Sequence, residues 1–194
     1  MTSRVGRSQH LGLMVAVIIG GMSRLRRLVL SDRFFFVTCR LLPRRRILSE
    51  SEFICLARAI HRRRARLGFL LTAWVLLPDH WHAIVFPRHP LTISEVMESI
   101  KVSSTKRINR RRGELGLLWQ GRFFDRALRT VKEYREKVEY IHRNPVKAEL
   151  VGRPEDWRWS SVHDYTGSTN RARATPSGLS IDRVWLPADA RTRI

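Results

Sequence analysis

Acidic residues and cysteines are both scarce in this sequence. Its 194 residues include only 17 Asp and Glu against 37 Lys and Arg, so the formal net charge is +20. The two cysteines, Cys39 and Cys55, stand in no metal-ligand spacing. This scarcity argues against a disulfide framework and a cysteine-ligated metal site, and it favours a reducing compartment such as the cytoplasm.

The apolar run near the start, LGLMVAVIIGG (11–21), is too short to cross a bilayer, which takes about 20 residues. It resembles the hydrophobic part of a signal peptide, but the basic segment MSRLRRLVL follows it in place of a small-residue cleavage site. We therefore expect residues 1–31 to be a basic N-terminal extension, disordered or wrongly assigned before Met22. A genuine signal peptide is the alternative, and no membrane partner is expected.

The large positive charge calls for a polyanionic partner. Nucleic acid is the commonest one, because each Lys or Arg that meets a phosphate releases condensed counterions and adds affinity without sequence information. An anionic membrane surface is the alternative, but no long basic amphipathic helix dominates the sequence. Composition therefore favours a nucleic-acid-binding protein.

The chain has the length of one domain with extensions, and its patterning predicts an α+β fold. The predicted strands are 33–40, 68–78, 80–86 and 121–130, and the predicted helices are 48–66, 93–113 and 131–144, the last ended by Pro145. This order predicts a βαββαβ sheet with helices on one face and one helix added. Residues 32–166 form the expected domain, and residues 167–194 a loose basic tail.

Two histidines alternate in the motif PDHWHAIVF at the start of the third predicted strand. His80 and His82 project from the same face of a strand, close enough for both rings to reach one metal ion. Trp81, Ala83 and Val85 point to the other face and can fill the core. The alternative is that both histidines are ordinary packed or hydrogen-bonded residues, so a third ligand is needed to favour a metal site.

The last predicted helix offers that ligand together with a nucleophile. Tyr140 lies off the apolar stripe of the helix, and Asn144 follows it by one turn. A phenolic oxygen can attack a phosphodiester while an amide oxygen binds a metal. The alternatives are a half-exposed aromatic on a helix flank and a residue that ends the helix before proline. The apolar stripe itself comprises Val131, Tyr134, Val138 and Ile141.

A basic segment lies between these two motifs, and no acid occurs from 99 to 113. Interleaved cations and an aromatic residue are typical of a groove that follows a DNA backbone and stacks a base. The alternative is a solvated helix face beside a core tryptophan. The candidate DNA-binding residues are Lys101, Lys106, Arg107, Arg110, Arg111, Arg112, Trp119, Arg122 and Arg129.

Four linked motifs carry a resemblance to a known family: PDHWHAIV, NRRRGELGLLWQGRF, EYIHRNPVKAELV and PEDWRWSSVHDY. In this order and spacing, from about Phe34 to Tyr165, the sequence resembles the single-tyrosine HUH transposases, and most closely the REP-associated tyrosine transposases. The resemblance implies a ferredoxin-like antiparallel sheet, similar to an RNA-recognition domain, with an added C-terminal helix that carries the tyrosine. The sequence departs from the family at Glu149, where a glycine is common, which affects the turn after that helix.

The resemblance also implies a chemistry and a set of roles. His80, His82 and Asn144 would hold Mg²⁺ or Mn²⁺, and Tyr140 would cleave single-stranded DNA beside a hairpin through a 5′-phosphotyrosine that a second 3′-OH can rejoin. Asp79 and Asp125 are candidates to assist the reaction of Tyr140. Such a protein is expected in the bacterial cytoplasm, at the nucleoid, as a monomer or homodimer.

Two other functions stay open from the sequence. One is a DNA-binding protein of the same fold that no longer cleaves, such as a repressor or a domesticated remnant. The other is a metal-dependent phosphohydrolase that uses the H-x-H pair. A histidine-triad hydrolase would want a third alternating histidine, and position 84 is isoleucine.

Overall fold

The computed structural model describes residues 32–166 and 178–194. The predicted N-terminal extension (1–31) and the first part of the predicted tail (167–177) lie outside the described residues. Among the described residues, no helix is both long enough and apolar enough to cross a membrane.

Four strands and three long helices follow one another in the predicted order. The strands are β1 (Phe35–Arg40), β2 (Leu70–Leu76), β3 (His80–Phe86) and β4 (Phe124–Ala127), and the helices are α1 (Glu50–Leu67), α2 (Ile93–Arg112), α3 (Val131–Lys147) and the short α4 (Val162–Tyr165). The strands pair antiparallel in the order β2-β3-β1-β4. The α+β class and the ferredoxin-like arrangement are therefore confirmed, with α3 as the added helix.

The two faces of the sheet are covered by different helices. Trp81, Ala83 and Val85 of β3 pack, as predicted, in a core that also contains apolar residues of α1 and α2. Ile84 of β3 belongs instead to a second core, which contains the apolar stripe of α3. Because side chains alternate along a strand, the histidines of β3 share the face that α3 covers.

Sequence signals fix the ends of the first two helices. Ser49 and Thr92 begin α1 and α2 with a capping box, in which the N-cap and the glutamate three residues later satisfy each other's backbone N–H groups. Gly68 and Gly113 end them with φ of 74° and 64°. These left-handed conformations favour glycine because it has no Cβ.

The end of α3 differs from the prediction. The helix runs through Pro145 and ends at Lys147, because the proline is buried and packing outweighs its lost hydrogen bond. Beyond the helix, Glu149 has φ of 54°, a left-handed conformation in a residue that carries a Cβ. The turn therefore keeps the conformation that favours glycine although the sequence supplies glutamate.

The described end of the predicted tail is packed, not loose. The carbonyl oxygens of Ala190 and Thr192 accept the backbone N–H groups of Lys132 and Val131, which are unpaired donors of the first turn of α3. Farther back, the Asp182 carboxylate accepts the Leu71 N–H of β2 at 2.8 Å. The tail gave no periodic signal because these contacts are made through single backbone groups and one carboxylate.

A buried ion pair joins the start of α1 to the end of α2. Arg112 donates from Nε and Nη2 to the two carboxylate oxygens of Glu52 at 2.6 and 3.0 Å, and the side chains are 1% and 4% exposed. Burial raises the pKa of the Glu52 carboxyl, but hydrogen bonds from Arg112 and from the Ser49 backbone outweigh it and hold this pKa at about 2.

We expect Glu52→Gln to lower the free energy of unfolding by about 3 kcal/mol at pH 7, because it removes the bidentate partner of the buried Arg112 and leaves the longer ion pair with Glu114, at 3.9 Å. The pKa of Glu52 is lower in the fold than its ordinary value of 4.5, so this contribution is present above pH 4.5 and is lost as pH falls towards about 2. Urea titration at pH 7 measures it.

The matched control is Glu136→Gln, which breaks the exposed pair with Lys132 on α3. That change should stay within about 0.5 kcal/mol. Equal losses in the two variants would contradict a special role for the buried pair.

Candidate active site on the α3 face of the sheet

The two histidines of β3 lie together on the face of the sheet that α3 covers. Their ring centroids are 4.8 Å apart, so the predicted pairing on one face is confirmed. Across the sheet, β1 sets Thr38 opposite His82 and Arg40 opposite His80. The strand pairing therefore fixes the histidine backbones and supplies their polar neighbours.

His82 is the buried member of the pair, with 3% of its surface exposed. Its Nδ1 lies 2.7 Å from the hydroxyl of Thr38, and its ring stacks on Phe36 with centroids 5.3 Å apart. Burial first, and then the nearby charges of His80, Arg40 and Lys137, lower the pKa of His82 to about 3. The ring is therefore neutral at physiological pH.

The Nε2 atom of His82 is buried and has no hydrogen-bond partner. An unpaired polar atom in apolar surroundings costs free energy, and a bound ligand could offset that cost. A neutral imidazole whose Nδ1 is held by a hydrogen bond is also the form in which histidine binds metals.

His80 is held at the edge of the site by charged neighbours. Its Nδ1 lies 2.6 Å from the carboxylate of Asp79, and Arg40 reaches the same carboxylate at 3.5 Å. Asp79 thus orients the ring and leaves Nε2 as the other polar atom, as carboxylates do for metal-binding histidines. The suggestion that Asp79 assists the site fits this geometry.

Tyr140 contacts His82 of its own chain. Its ring is half-buried, 5.4 Å from the ring of His82 and 5.7 Å from that of Phe36, centroid to centroid. The sequence placed Tyr140 away from the packed stripe of the helix. The structure shows that this flank of α3 still faces the sheet, so the tyrosine meets the histidine pair.

Two lysines of α3 flank Tyr140, and sequence reasoning missed both. The Nζ atoms of Lys137 and Lys147 lie 5.1 and 4.9 Å from the centre of the tyrosine ring. Lys137 also lies 4.9 Å from the centre of Phe36. Their spacing from Tyr140, one turn before and two turns after, was the available signal. They make the surroundings of the phenol positive.

Asn144 follows Tyr140 by one turn of α3 and is 7% exposed. Within the described residues no three His, Cys, Asp or Glu side chains gather as metal ligands. A metal at this site would thus need the two histidines and an oxygen ligand of another type. Imidazole nitrogens are ligands for divalent transition metals, and an amide oxygen suits harder cations such as Mg²⁺ and Mn²⁺, so this mixed donor set fits a divalent cation.

Most of the predicted DNA-binding residues lie on the surface. Lys106, Arg110, Arg111, Arg122 and Arg129 are exposed, and Arg107 is partly buried. The basic residues of α2 are not brought to the histidines, because α2 packs on the opposite face of the sheet. They remain candidates for contacts with a DNA backbone.

Three of the predicted DNA-binding residues are engaged inside the protein. Trp119 is 2% exposed and its indole N–H donates to Ser104, so its face is not open to a base. Arg112 is the buried partner of Glu52, and the Lys101 ammonium donates to the carbonyls of Gln120 and Gly121, both at 2.7 Å. In each case the basic or aromatic residue holds the fold together.

Asp125 is not brought to the site either. It pairs with Val37 of β1, and Val37 belongs to the core on the α1 and α2 side. Strand alternation therefore directs Asp125 away from the histidines. The suggestion that it assists the tyrosine does not fit this placement.

A histidine on a ferredoxin-like sheet that contacts a tyrosine on an added helix is the arrangement expected of a single-tyrosine transposase. Consistent with this, the family model "Transposase IS200 like" matches residues 35–144, which include both histidines, Tyr140 and Asn144. The chain belongs to the IS200-like transposases, which are enzymes.

Two relatives and one solved structure narrow this family. A REP-associated tyrosine transposase of Escherichia coli K12 is 34% identical over 143 residues, 73% of this chain and 84% of the relative. A putative REP-associated tyrosine transposase of Haemophilus influenzae is 29% identical over 105 residues, 49% of this chain and 60% of the relative. The resemblance to REP-associated tyrosine transposases is thereby confirmed.

The solved structure is that of a REP-associated tyrosine transposase bound to a REP hairpin. It is 32% identical, has a TM-score of 0.67, and the match covers 89% of this chain and 99% of that one. The fold and the family thus agree over nearly the whole length of the structural relative.

Acid should weaken the fold through two buried histidines. The pKa of His82 is about 3, and burial with the nearby His163 lowers that of His142 to about 4. Both lie below the ordinary value of 6.5, so the unfolded chain takes up protons first as pH falls. Stability is full above pH 6.5 and is lost below it.

Between pH 7.5 and 5 we expect the free energy of unfolding to fall by about 2 kcal/mol for each of these two groups, in metal-free buffer. Urea titrations across this range measure the slope. His142→Gln should remove about half of the fall, and an unchanged slope in that variant would contradict the assignment.

Proposed function

We propose that this protein cleaves and rejoins single-stranded DNA beside hairpin-forming palindromes, with Tyr140 as the nucleophile. The observation that carries the proposal is the contact of Tyr140 with His82 of the same chain, at 5.4 Å between ring centroids. The family membership and the hairpin bound by the structural relative support a DNA hairpin as the substrate.

In the proposed reaction the phenol oxygen of Tyr140 attacks the scissile phosphorus. The bond from phosphorus to the 3′ oxygen breaks, the phenol loses its proton, and the 3′ oxygen gains one. The product is a 5′-phosphotyrosine and a free 3′-OH. Because the phosphodiester energy is kept in the phosphotyrosine, a second 3′-OH can attack it and rejoin strands. The ammonium groups of Lys137 and Lys147 stabilise negative charge near the phenol.

His80, His82 and Asn144 would hold Mg²⁺ or Mn²⁺ at this site. Such an ion, when bound, neutralises charge on the scissile phosphate. The orphaned Nε2 of His82 supports this ligand set, and so does the polar anchoring of Nδ1 in both histidines. Thr38 and Asp79 hold the rings in the orientation that leaves Nε2 available.

We also propose that the exposed basic residues hold the DNA backbone, in the bacterial cytoplasm and at the nucleoid. The excess of Lys and Arg gives a formal net charge of +20, which supports a polyanionic partner. Nothing in this geometry requires a second chain to complete the site, so the proposed nucleophile acts within its own chain in a monomer or a homodimer. The set comprises the exposed Lys106, Arg110, Arg111, Arg122 and Arg129 and the partly buried Arg107.

The test of the nucleophile uses labelled single strands from the DNA that flanks the gene, with and without Mn²⁺, on denaturing gels. We expect a metal-dependent covalent adduct that carries the downstream DNA. The chain has three tyrosines, so Tyr140→Phe should abolish the adduct and Tyr165→Phe should retain it.

Three other outcomes would overturn parts of this proposal. An adduct that persists in Tyr140→Phe would assign the nucleophile elsewhere. Cleavage without an adduct would favour the phosphohydrolase. Binding of flanking palindromes with neither cleavage nor adduct would favour a DNA-binding protein that no longer cleaves.

Thr38→Val tests how His82 is held. The variant keeps the branched shape but removes the hydroxyl that fixes Nδ1, so we expect Mn²⁺ affinity to fall by about 10- to 100-fold. Calorimetric titration of the protein without DNA measures it.

Thr72→Val is the matched control, because Thr72 is also buried in the sheet region and its hydroxyl has no hydrogen-bond partner. It should bind Mn²⁺ as the wild type does. Equal affinity in Thr38→Val would remove Thr38 from the site, and no binding by the wild type would reject the proposed ligand set.

A further inference from the structure

An exposed aromatic ring lies at the open edge of the histidine face. Phe124 is on the edge strand β4, and 57% of its surface is exposed. It pairs with Thr38 of β1, whose side chain contacts His82. Directly paired residues share a face of the sheet, so the Phe124 ring lies on the same side as the histidines.

The ring is connected to the active site by a series of aromatic contacts. Phe124 meets Phe36 edge-on, with centroids 6.2 Å apart. Phe36 in turn stacks on His82 and meets Tyr140 edge-on. Phe36 itself is 4% exposed, so Phe124 is the ring of this series that solvent reaches most freely. The exposed aromatic surface therefore lies two ring contacts from the proposed nucleophile.

Positive charge lies beside the same series of rings. The ammonium of Lys137 is 4.9 Å from the centre of the Phe36 ring, which Phe124 contacts, and 5.1 Å from that of Tyr140. The next outward side chain of β4 on this face, Arg126, is paired with Glu133 at 2.9 Å. The exposed ring of Phe124 and the ammonium of Lys137 thus both lie beside Phe36.

We propose that Phe124 stacks an unpaired base of the DNA strand next to the scissile phosphate, while Lys137 faces the backbone between that base and Tyr140. This inference rests on the proposed function and names a part of its substrate site. An aromatic ring beside a cation is the arrangement that proteins use to hold single-stranded nucleic acid. Because every base has a flat face, the site takes an unpaired nucleotide with little preference for its identity.

An exposed ring on an edge strand has another use, which is pairing with a second copy of the chain. The positive charge beside the series of rings favours DNA, because a DNA strand brings phosphate groups to Lys137. The experiment therefore records the oligomeric state as well as DNA binding.

The test measures binding of a fluorescent oligonucleotide, made of a flanking palindrome and its single-stranded 5′ extension, in metal-free buffer. The protein carries Tyr140→Phe so that no cleavage occurs. We expect Phe124→Ala to weaken binding by about tenfold, which is the loss of one stacked base. Phe124→Trp should restore it.

Leu115→Ala is the control, since Leu115 is 90% exposed and lies in the loop after α2. It should bind as the parent does. Circular dichroism and thermal unfolding of both alanine variants check that the fold is kept.

A double-mutant cycle identifies the stack itself. Each unpaired nucleotide is replaced in turn by an abasic site. At one position the replacement should lower the affinity of the protein that keeps Phe124 by about tenfold and leave the affinity of Phe124→Ala almost unchanged. The proposal would be overturned if every abasic substitution lowered the affinity equally in the two proteins, or if Phe124→Ala bound the intact DNA as tightly as the parent. A change of oligomeric state in Phe124→Ala would instead assign the ring to a protein interface.

The result is separable from the proposed function. The cycle needs only binding, so it can succeed even if the wild type forms no tyrosine adduct. If the adduct forms, Phe124→Ala should raise the DNA concentration needed for half-maximal cleavage and leave the rate at saturating DNA nearly unchanged. A lower saturating rate with unchanged half-saturation would contradict a stacking role.

Discussion

The strict alternation of side chains along β3 is the constraint on which the rest of the structure depends. Trp81, Ala83 and Val85 are fully buried against α1 and α2, so the strand cannot shift its register or rotate. The same alternation leaves His80 and His82 on the opposite face. A shift of one residue would exchange the two sets, so the hydrophobic core fixes the position of the histidine pair.

The position of His82 in the fold has an energetic cost. Its Nε2 is a buried polar atom without a partner, and its pKa is lowered to about 3. Such an atom is tolerated where a ligand is to be bound, since a site already free of water and of competing hydrogen bonds needs less rearrangement when the ligand arrives. Thr38 of the neighbouring strand supplies a polar contact that orients the ring.

The sequence was sufficient for the features that repeat regularly. The order of strands and helices and the face shared by the two histidines follow from the periodicity of the sequence. It was insufficient where a tertiary contact overrides a local rule. Pro145 continues a helix that it should end, because packing buries it.

The predicted DNA-binding residues show the same limit of prediction from sequence. Charge pattern could not tell Arg112, which neutralises a buried glutamate, from its neighbours Arg110 and Arg111, which are exposed. Likewise Trp119 reads as a base-stacking residue in sequence, while its indole donates to Ser104 in the core. The distinction depends on residues some sixty positions away in the first case, so it needs the fold.

The separation of charge between the two layers limits how a substrate can lie. The exposed cations of α2 are on one face of the sheet and the histidine pair is on the other. A DNA molecule that contacts both must pass an end or an edge of the sheet. At the end where β1 stops, Gln120 N–H donates to the carbonyl of Arg40, the residue that pairs with His80. Lys101 of α2 donates a hydrogen bond to the carbonyl of Gln120. Gln120 therefore connects α2, which carries the basic residues, to the edge of the histidine site. Under the proposed function, the base of the DNA hairpin would contact the basic residues of α2. A short single strand would then extend from the hairpin to Tyr140.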